Sequence, residues 1–133
     1  MADANPQFIA DGNIKPMRFV KAQTTKDNRV LQAGSGDKPI GISQPQERNP
    51  PWSSLQDGYA AAQDETLRVF GLQEVCWLVC GGTVTAGDYL KPDTDGKGVT
   101  SSSDGDLYGA QALESGTTGQ QIRVQVLLGM RGA

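Results

Sequence analysis

The stretch QIRVQVLL at residues 121–128 decides the fold class. Polar and apolar residues alternate along it, so that Ile122, Val124, Val126 and Leu128 occupy one face of a β-strand. This is the clearest two-residue period in the chain. It predicts a final strand that is central in its sheet or well covered.

Shorter segments of strand character precede it, separated by turns rich in glycine and proline. They are residues 17–21, 30–32, 39–43, 65–70, 75–80 and 89–91. Residues 71–74 lie between two of them and predict a short-loop hairpin, whereas residues 59–63 are ambiguous between a helical turn and a strand. Because 17 of the 133 residues are glycine and 37% are hydrophobic, we predict an all-β fold, a small β-barrel or sandwich of short antiparallel strands.

The chain has the length of one domain. Residues 1–16 are polar, contain Pro6 and Pro16 and show no sustained period, which predicts an extended N-terminal arm before a single domain over residues 17–133. Residues 44–58 are rich in proline and predict a long surface loop.

Two segments of the chain resemble each other. Residues 18–21 followed by 36–42 form one β-unit, and residues 88–91 followed by 105–110 form a second with similar spacing. Two such units fold naturally into a small pseudo-symmetric barrel or sandwich. With only two weak copies the repeat can also be a coincidence, and the predicted fold class does not depend on it.

Composition excludes several function classes. The net charge is −3 and no cluster of lysine and arginine occurs, which argues against nucleic-acid binding. The chain contains no histidine, the usual general base and the commonest metal ligand. No apolar run approaches the length of a membrane span, and the N-terminus lacks the features of a signal peptide.

The two cysteines, Cys76 and Cys80, lie four residues apart in a predicted strand. Residues at this spacing are about 13 Å apart in a strand, whereas a disulfide requires Cα atoms within about 7 Å. We interpret both as small apolar core residues rather than as reactive or intermolecular thiols.

No catalytic or metal motif stands out. Residues 93–98 (DTDGKG), with Asp104 beyond them, superficially resemble a calcium-binding loop, but Lys97 occupies a ligand position and no helices flank the segment. A solvated turn explains these aspartates better. We therefore predict no cofactor, no metal site and no enzyme activity.

Several apolar side chains in predicted loops and in the arm need a partner. A tryptophan in a proline-rich loop either folds back on the domain or docks onto another chain. The candidate interface residues are Phe8, Ile9, Pro50, Pro51, Trp52 and Tyr59.

The motifs of the chain, taken in order, resemble the capsid decoration (cement) proteins of tailed phages. The resemblance covers residues 17 to 128 and rests on segments 19–21, 39–43, 57–61, 82–91 (GTVTAGDYLK), 95–98, 109–114 and 122–124. Residues 1–16 and the segment around Pro50 are less covered.

This resemblance implies a non-enzymatic β-barrel protein, made in the host cytoplasm, that binds the outer surface of the expanded icosahedral head. It implies a homotrimer at three-fold or quasi-three-fold positions, with the major capsid protein as partner, that stabilises the shell against the pressure of packaged DNA. From it we expect Phe8 and Ile9 to contact a capsid edge by strand augmentation or packing. Deleting residues 1–15 should then leave a folded trimer that no longer binds expanded heads.

Two other functions stay open. A surface-displayed glycan-binding or adhesin-like β-domain would use Trp52 and the tyrosines to stack sugars. A hydrolase of unusual design, built without histidine, is the other alternative.

Overall fold

The computed structural model describes residues 7–45, 59–102 and 105–130, and in these residues the secondary structure consists of short β-strands without a helix. The strands are β1 (Gln7–Ala10), β2 (Phe19–Ala22), β3 (Arg29–Gln32), β4 (Gly41–Ser43), β5 (Thr66–Phe70), β6 (Val75–Val79), β7 (Tyr89–Pro92), β8 (Gly98–Thr100), β9 (Leu107–Ala112) and β10 (Gln121–Met130). The all-β prediction is confirmed. Nothing in these three ranges has the helical length and hydrophobicity that a membrane span requires.

Strands β1 to β5, here called the first unit, close into a small barrel with the order β1-β3-β2-β4-β5. All neighbouring strands are antiparallel except β1 and β3, which are parallel. Apolar side chains fill the interior, and they are Ala10, Ile14, Val20, Val30, Ala61, Leu67 and Val69. The barrel has a separate core of its own.

The described part of the predicted N-terminal arm is built into this barrel. Strand β1 pairs with β3 on one side and β5 on the other, and Ala10 and Ile14 are fully buried. Deleting residues 1–15 would remove a barrel strand, so we now expect this deletion to destabilise the domain rather than to leave it folded. A strand of four residues is too short to show a period in the sequence. Residues 1–6 lie outside the described ranges.

Strands β6 to β10, the second unit, form a sheet with the order β6-β10-β9-β7-β8. Strand β10 lies between β6 and β9, as predicted, and Ile122, Val124 and Val126 are buried. Leu128, predicted on the same face, is instead 39% exposed. The pairing of β10 with β9 shifts register between Val126 and Gly129, and such a bulge ends the alternation of faces.

The two units share their strand order and register except at the pairing that closes the first unit into a barrel, and this agreement supports the repeat that the sequence indicates. Four of the five pairings among β1 to β5 recur among β6 to β10, and the fifth, between β1 and β3, is reduced there to the bridge between Cys80 and Gly98. Equivalent pairs include Gln7–Arg68 and Trp77–Arg123, Phe19–Ile42 and Tyr89–Gln111, and Ala10–Val30 and Cys80–Gly98.

Backbone hydrogen bonds outside the strands are repeated too. The amide of Ile14 donates to the carbonyl of Ala61 at 2.9 Å, and in the second unit the amide of Val84 donates to the carbonyl of Gly116 at 2.9 Å. Ala61 forms a β-bridge with Ile14, so the ambiguous segment 59–63 contributes an extended residue and not a helical turn.

Residues 71–74 connect the two units. The sequence predicts a hairpin here, but β5 pairs with β1 and β4 whereas β6 pairs with β10. The hairpin prediction is wrong because a short turn between two strands fixes their proximity in sequence and not their pairing.

One face of the first unit is covered by the second unit. Phe19, Ile42 and Phe70 lie side by side on β2, β4 and β5, and they pack against the hydrophobic core of the second unit. Backbone bonds cross the same junction, since Val79 donates to the carbonyl of Met17 at 3.1 Å. We call this row the covered face.

Candidate interaction surface

The second unit carries the equivalent face, and there it is exposed. Register places Val75, Gln125, Gln111 and Tyr89 side by side across four strands. Directly paired residues point to the same side of a sheet. A second row begins with Trp77 opposite Arg123 and continues to Leu113, whose amide donates to the carbonyl of Arg123 at 3.0 Å. These seven residues are called the outer face.

The apolar residues of the outer face are unusually accessible for a sheet. Val75 is 54% exposed, Leu113 47%, Trp77 38% and Tyr89 37%. The residues that alternate with them on β6 and β10, such as Leu78 and Val124, are fully buried. The sheet is therefore apolar on both sides at this place, and its outer side is suited to docking another surface.

The side chains of the outer face have the composition of a protein interface. The guanidinium of Arg123 lies over the ring of Trp77, 5.4 Å from its centroid, and the ring of Tyr89 lies 4.6 Å from that of Tyr108. Trp, Tyr and Arg are the residues that most often dominate binding energy. None of the seven residues carries a carboxylate.

A groove lies where the two units meet. Its volume is about 390 Å³ and it is lined by Lys38, Pro39, Leu107, Tyr108, Leu128, Gly129 and Met130. Lys38 is the one charged residue among these, so the groove holds no acid–base pair.

The calcium-like segment is a hydrogen-bonded turn. The carboxylate of Asp93 accepts the backbone N–H groups of Asp95 at 2.8 Å and Lys97 at 2.9 Å. In the described ranges no group of three or more acidic, cysteine or histidine residues is arranged to hold a metal ion. Asp104 lies outside the described residues.

Cys76 and Cys80 are free thiols within the core of the second unit. Burial, followed by the charge of Glu74, raises the pKa of Cys76 to about 12. Burial also raises the pKa of Cys80. Cys76 is 6% and Cys80 1% exposed, so their interpretation as core residues is confirmed.

The candidate residues that the sequence indicates do not form one cluster in the described structure. Phe8 and Ile9 lie in β1, where Phe8 packs on the barrel core and the amide of Ile9 donates to the carbonyl of Asn28 at 2.9 Å. Tyr59 is partly buried. Pro50, Pro51 and Trp52 lie outside the described residues.

Sequence reasoning missed the outer face, although β6 contains a signal for it. In the segment VCWLVC at residues 75–80 every residue is apolar. A strand with one solvated face alternates apolar and polar residues. An apolar residue at every position therefore indicates that both faces are meant to be covered, and Trp77 is the most prominent side chain on the side left open.

Comparison with protein families gives a match over nearly the whole chain. The model of a family described as "Structural cement protein (E217 gp24/Pam3 gp6)" matches residues 2–127. Among curated proteins, none matches the chain.

Among solved structures, the chain is similar to the N base of the head fiber protein gp8.5 of bacteriophage phi29. The TM-score is 0.63 at 15% sequence identity, and the alignment covers 93% of each of the two chains. At this identity the similarity concerns the fold.

Proposed function

Since this chain belongs to the phage structural cement proteins, we propose that it binds the outside of the expanded head as a homotrimer at three-fold or quasi-three-fold sites. Membership of the family makes it a structural phage protein of the virion with a capsid-stabilising role. In this proposal its partner is the major capsid protein, and it stabilises the contacts between neighbouring capsid subunits.

The observation that carries the proposal is the family match over nearly the whole chain. The described residues support it, because they offer an exposed apolar sheet face and buried thiols whose pKa is raised. A trimer bound at three linked footprints holds more tightly than one subunit, since the second and third footprints bind at high effective concentration. We infer a binding function without catalysis.

We further propose that the segment with Pro50, Pro51 and Trp52, together with Tyr59, contacts the shell. Comparison of the two units supports this proposal. The backbone amide of Gln44 donates to the carbonyl of Arg68 at 3.0 Å. In the equivalent place of the second unit, the amide of Leu113 donates to the carbonyl of Arg123, also at 3.0 Å. From there the second unit reaches its β-bridge at Gly116 through Glu114 and Ser115 alone, whereas the first unit uses residues 45–60. The additional length is not needed to close a unit, so it is available for binding.

Phe8 and Ile9 enter the proposal in a modified form. Both edges of β1 are hydrogen-bonded to neighbouring strands, so strand augmentation by these residues would require opening the barrel. We propose that they contribute to a capsid contact through their side chains.

The proposal is tested by replacing residues 45–60 with Glu-Ser, the connection that the second unit uses. The variant loses the buried Ala60 and the hydrogen bond from its amide to the carbonyl of Ile14, so it is expected to be less stable but folded. It should cosediment with expanded empty heads with an affinity lower by about tenfold or more. Trp52→Ala should account for much of this loss. Leu72→Ala, which truncates an apolar side chain that is 59% exposed, is the matched control and should bind normally.

The outcomes test the proposed contact segment and the proposed function separately. Undiminished binding by the shortened variant would move the contact to another surface and leave the cement role intact. Wild-type protein that does not associate with expanded heads, and does not raise their thermal stability, would contradict the function itself. The glycan-binding alternative stays a prediction, and binding of isolated protein to a glycan array would favour it.

A further inference from the structure

The internal repeat indicates a role for the outer face that its exposure alone does not indicate. The covered face of the first unit, Phe19, Ile42 and Phe70, occupies the same positions as Tyr89, Gln111 and Gln125 of the outer face. In the first unit this row packs against the neighbouring unit, and Phe19 and Ile42 are fully buried. The row of the outer face with Tyr89, Gln111 and Gln125 therefore corresponds to an interface within the chain.

The second unit has no following unit in the described structure to cover its own copy of that face. From this we propose that the outer face is the surface through which one copy of this chain docks onto a second copy. The homotrimer of the proposed function supplies the partner, and in that respect the inference rests on it. A contact between different surfaces of successive copies is heterologous, and three such contacts can close into a ring.

The docking need not repeat the internal junction in detail. In the first unit β1 and β3 pair in parallel over Ile9–Arg29 and Ala10–Val30. In the second unit this pairing is reduced to the bridge between Cys80 and Gly98, and Val79 bonds instead to Met17 of the first unit. The edge of β6 at Val79 is thus already bonded to the first unit. A second copy would therefore contact the side chains of the outer face and not pair with that edge.

The chemistry of the outer face favours an apolar contact over one that is driven by charge. Each copy carries a net charge of −3, so charge does not attract two copies to each other. Arg123 is the one ionisable group of the outer face apart from the Tyr89 hydroxyl. Association through this surface should therefore be driven by burial of Val75, Trp77 and Leu113, and it should depend little on salt.

Self-association of the full chain tests the inference without capsids. We expect sedimentation equilibrium of wild-type protein to show a trimer. Trp77→Lys and Leu113→Lys should each raise the dissociation constant by at least about tenfold, because each places a second charge in the apolar contact. Leu113 lies outside the strands, so its variant keeps the test valid if Trp77→Lys fails to fold. Met130→Lys is the matched control, since Met130 is 63% exposed but not part of the outer face.

Tryptophan fluorescence gives a second measurement. If Trp77 had only a structural role, its fluorescence quenching would not depend on protein concentration. In a Trp52→Phe background, Trp77 is the only tryptophan. Its quenching by acrylamide should decrease as the protein concentration rises through the dissociation constant. Quenching that does not change while the protein trimerises would overturn the assignment.

Three further results would overturn the inference. The first is a wild-type protein that is monomeric at every concentration. The second is that both lysine variants associate as strongly as the wild type. The third is that variants which still form trimers no longer bind heads, which would assign the outer face to the shell. A wild-type trimer that is disrupted by both lysine variants and yet ignores expanded heads would support the inference and contradict the proposed function.

Discussion

Replacing Phe19 by alanine should destabilise the whole molecule, because this residue of the first unit belongs to the core of the second. Phe19 is fully buried in the cluster that contains Leu78 and Leu90. Its neighbour Val20 points the other way, into the barrel core. The phenyl ring also contacts Gly109, where an added Cβ would lie 2.7 Å from Cε1. Truncation leaves a cavity at the junction of the two units.

The expected loss is that of a large-to-small substitution in a core, about 3–5 kcal/mol of unfolding free energy. For a chain of 133 residues this corresponds to a decrease in Tm of about 10–20 °C. Because the two units share this cluster, we expect a single cooperative transition to persist.

The repeat provides the control for this experiment. Tyr89 occupies the equivalent position in the second unit but is 37% exposed, so Tyr89→Ala should cost about 1 kcal/mol or less. Both variants are measured by urea unfolding at the same low protein concentration, where self-association contributes least. Equal losses at the two positions would refute the junction as described here, and two separate transitions in the wild type would refute the shared core.

Three other outcomes are expected. Gly41→Ala should lower the urea midpoint, by an amount corresponding to about 1–3 kcal/mol or more, because the new Cβ would collide with the backbone carbonyl of β5; a neutral effect would contradict this packing. Cys76 and Cys80 should not react with a thiol reagent at mildly alkaline pH until the protein is unfolded, since burial raises their pKa values; rapid labelling of the native protein would argue against buried thiols. A hydrogen bond from Gln23, and then nearby positive charges, lower the pKa of Asp11 in the folded state, so stability should fall as the pH drops below about 4, where the unfolded chain binds the proton more readily; this loss should be smaller in Asp11→Asn.

The sequence predicts the strands best where alternation is long. Ile122, Val124 and Val126 follow the pattern, and Leu128 departs from it because of a register shift that no local preference encodes. The sequence does not predict β1, because this strand is short. Four residues hold too little alternation to separate a strand from an arm.

The repeat could also be recognised in part from the sequence. Similar residues in segments 18–21 and 88–91 occupy equivalent strands, β2 and β7. The equivalence of β1 with β6 and of β5 with β10 has no such support in the residues. It follows from shared strand pairings and backbone hydrogen bonds, which depend on geometry and tolerate different side chains.

Candidate binding residues were harder to predict than strands. Trp52 attracts attention through its proline-rich surroundings, whereas Trp77 is placed inside a strand that looks like ordinary core. Whether an apolar residue in a strand is covered depends on which distant element packs over it. Phe19 and Tyr89 make the point, since equivalent aromatic residues are fully buried in one unit and exposed in the other.

The sequence alone thus determined the all-β class, the position of the last strand, the inert cysteines and the absence of a histidine-based site, because these follow from composition and from the two-residue period of a single segment. The tertiary structure alone decided that β1 belongs to the barrel, that residues 71–74 join two units, and that one of two equivalent faces is left open. Alternation assigns side chains to the two sides of a strand, but the covering of a side requires contacts between segments far apart in the chain.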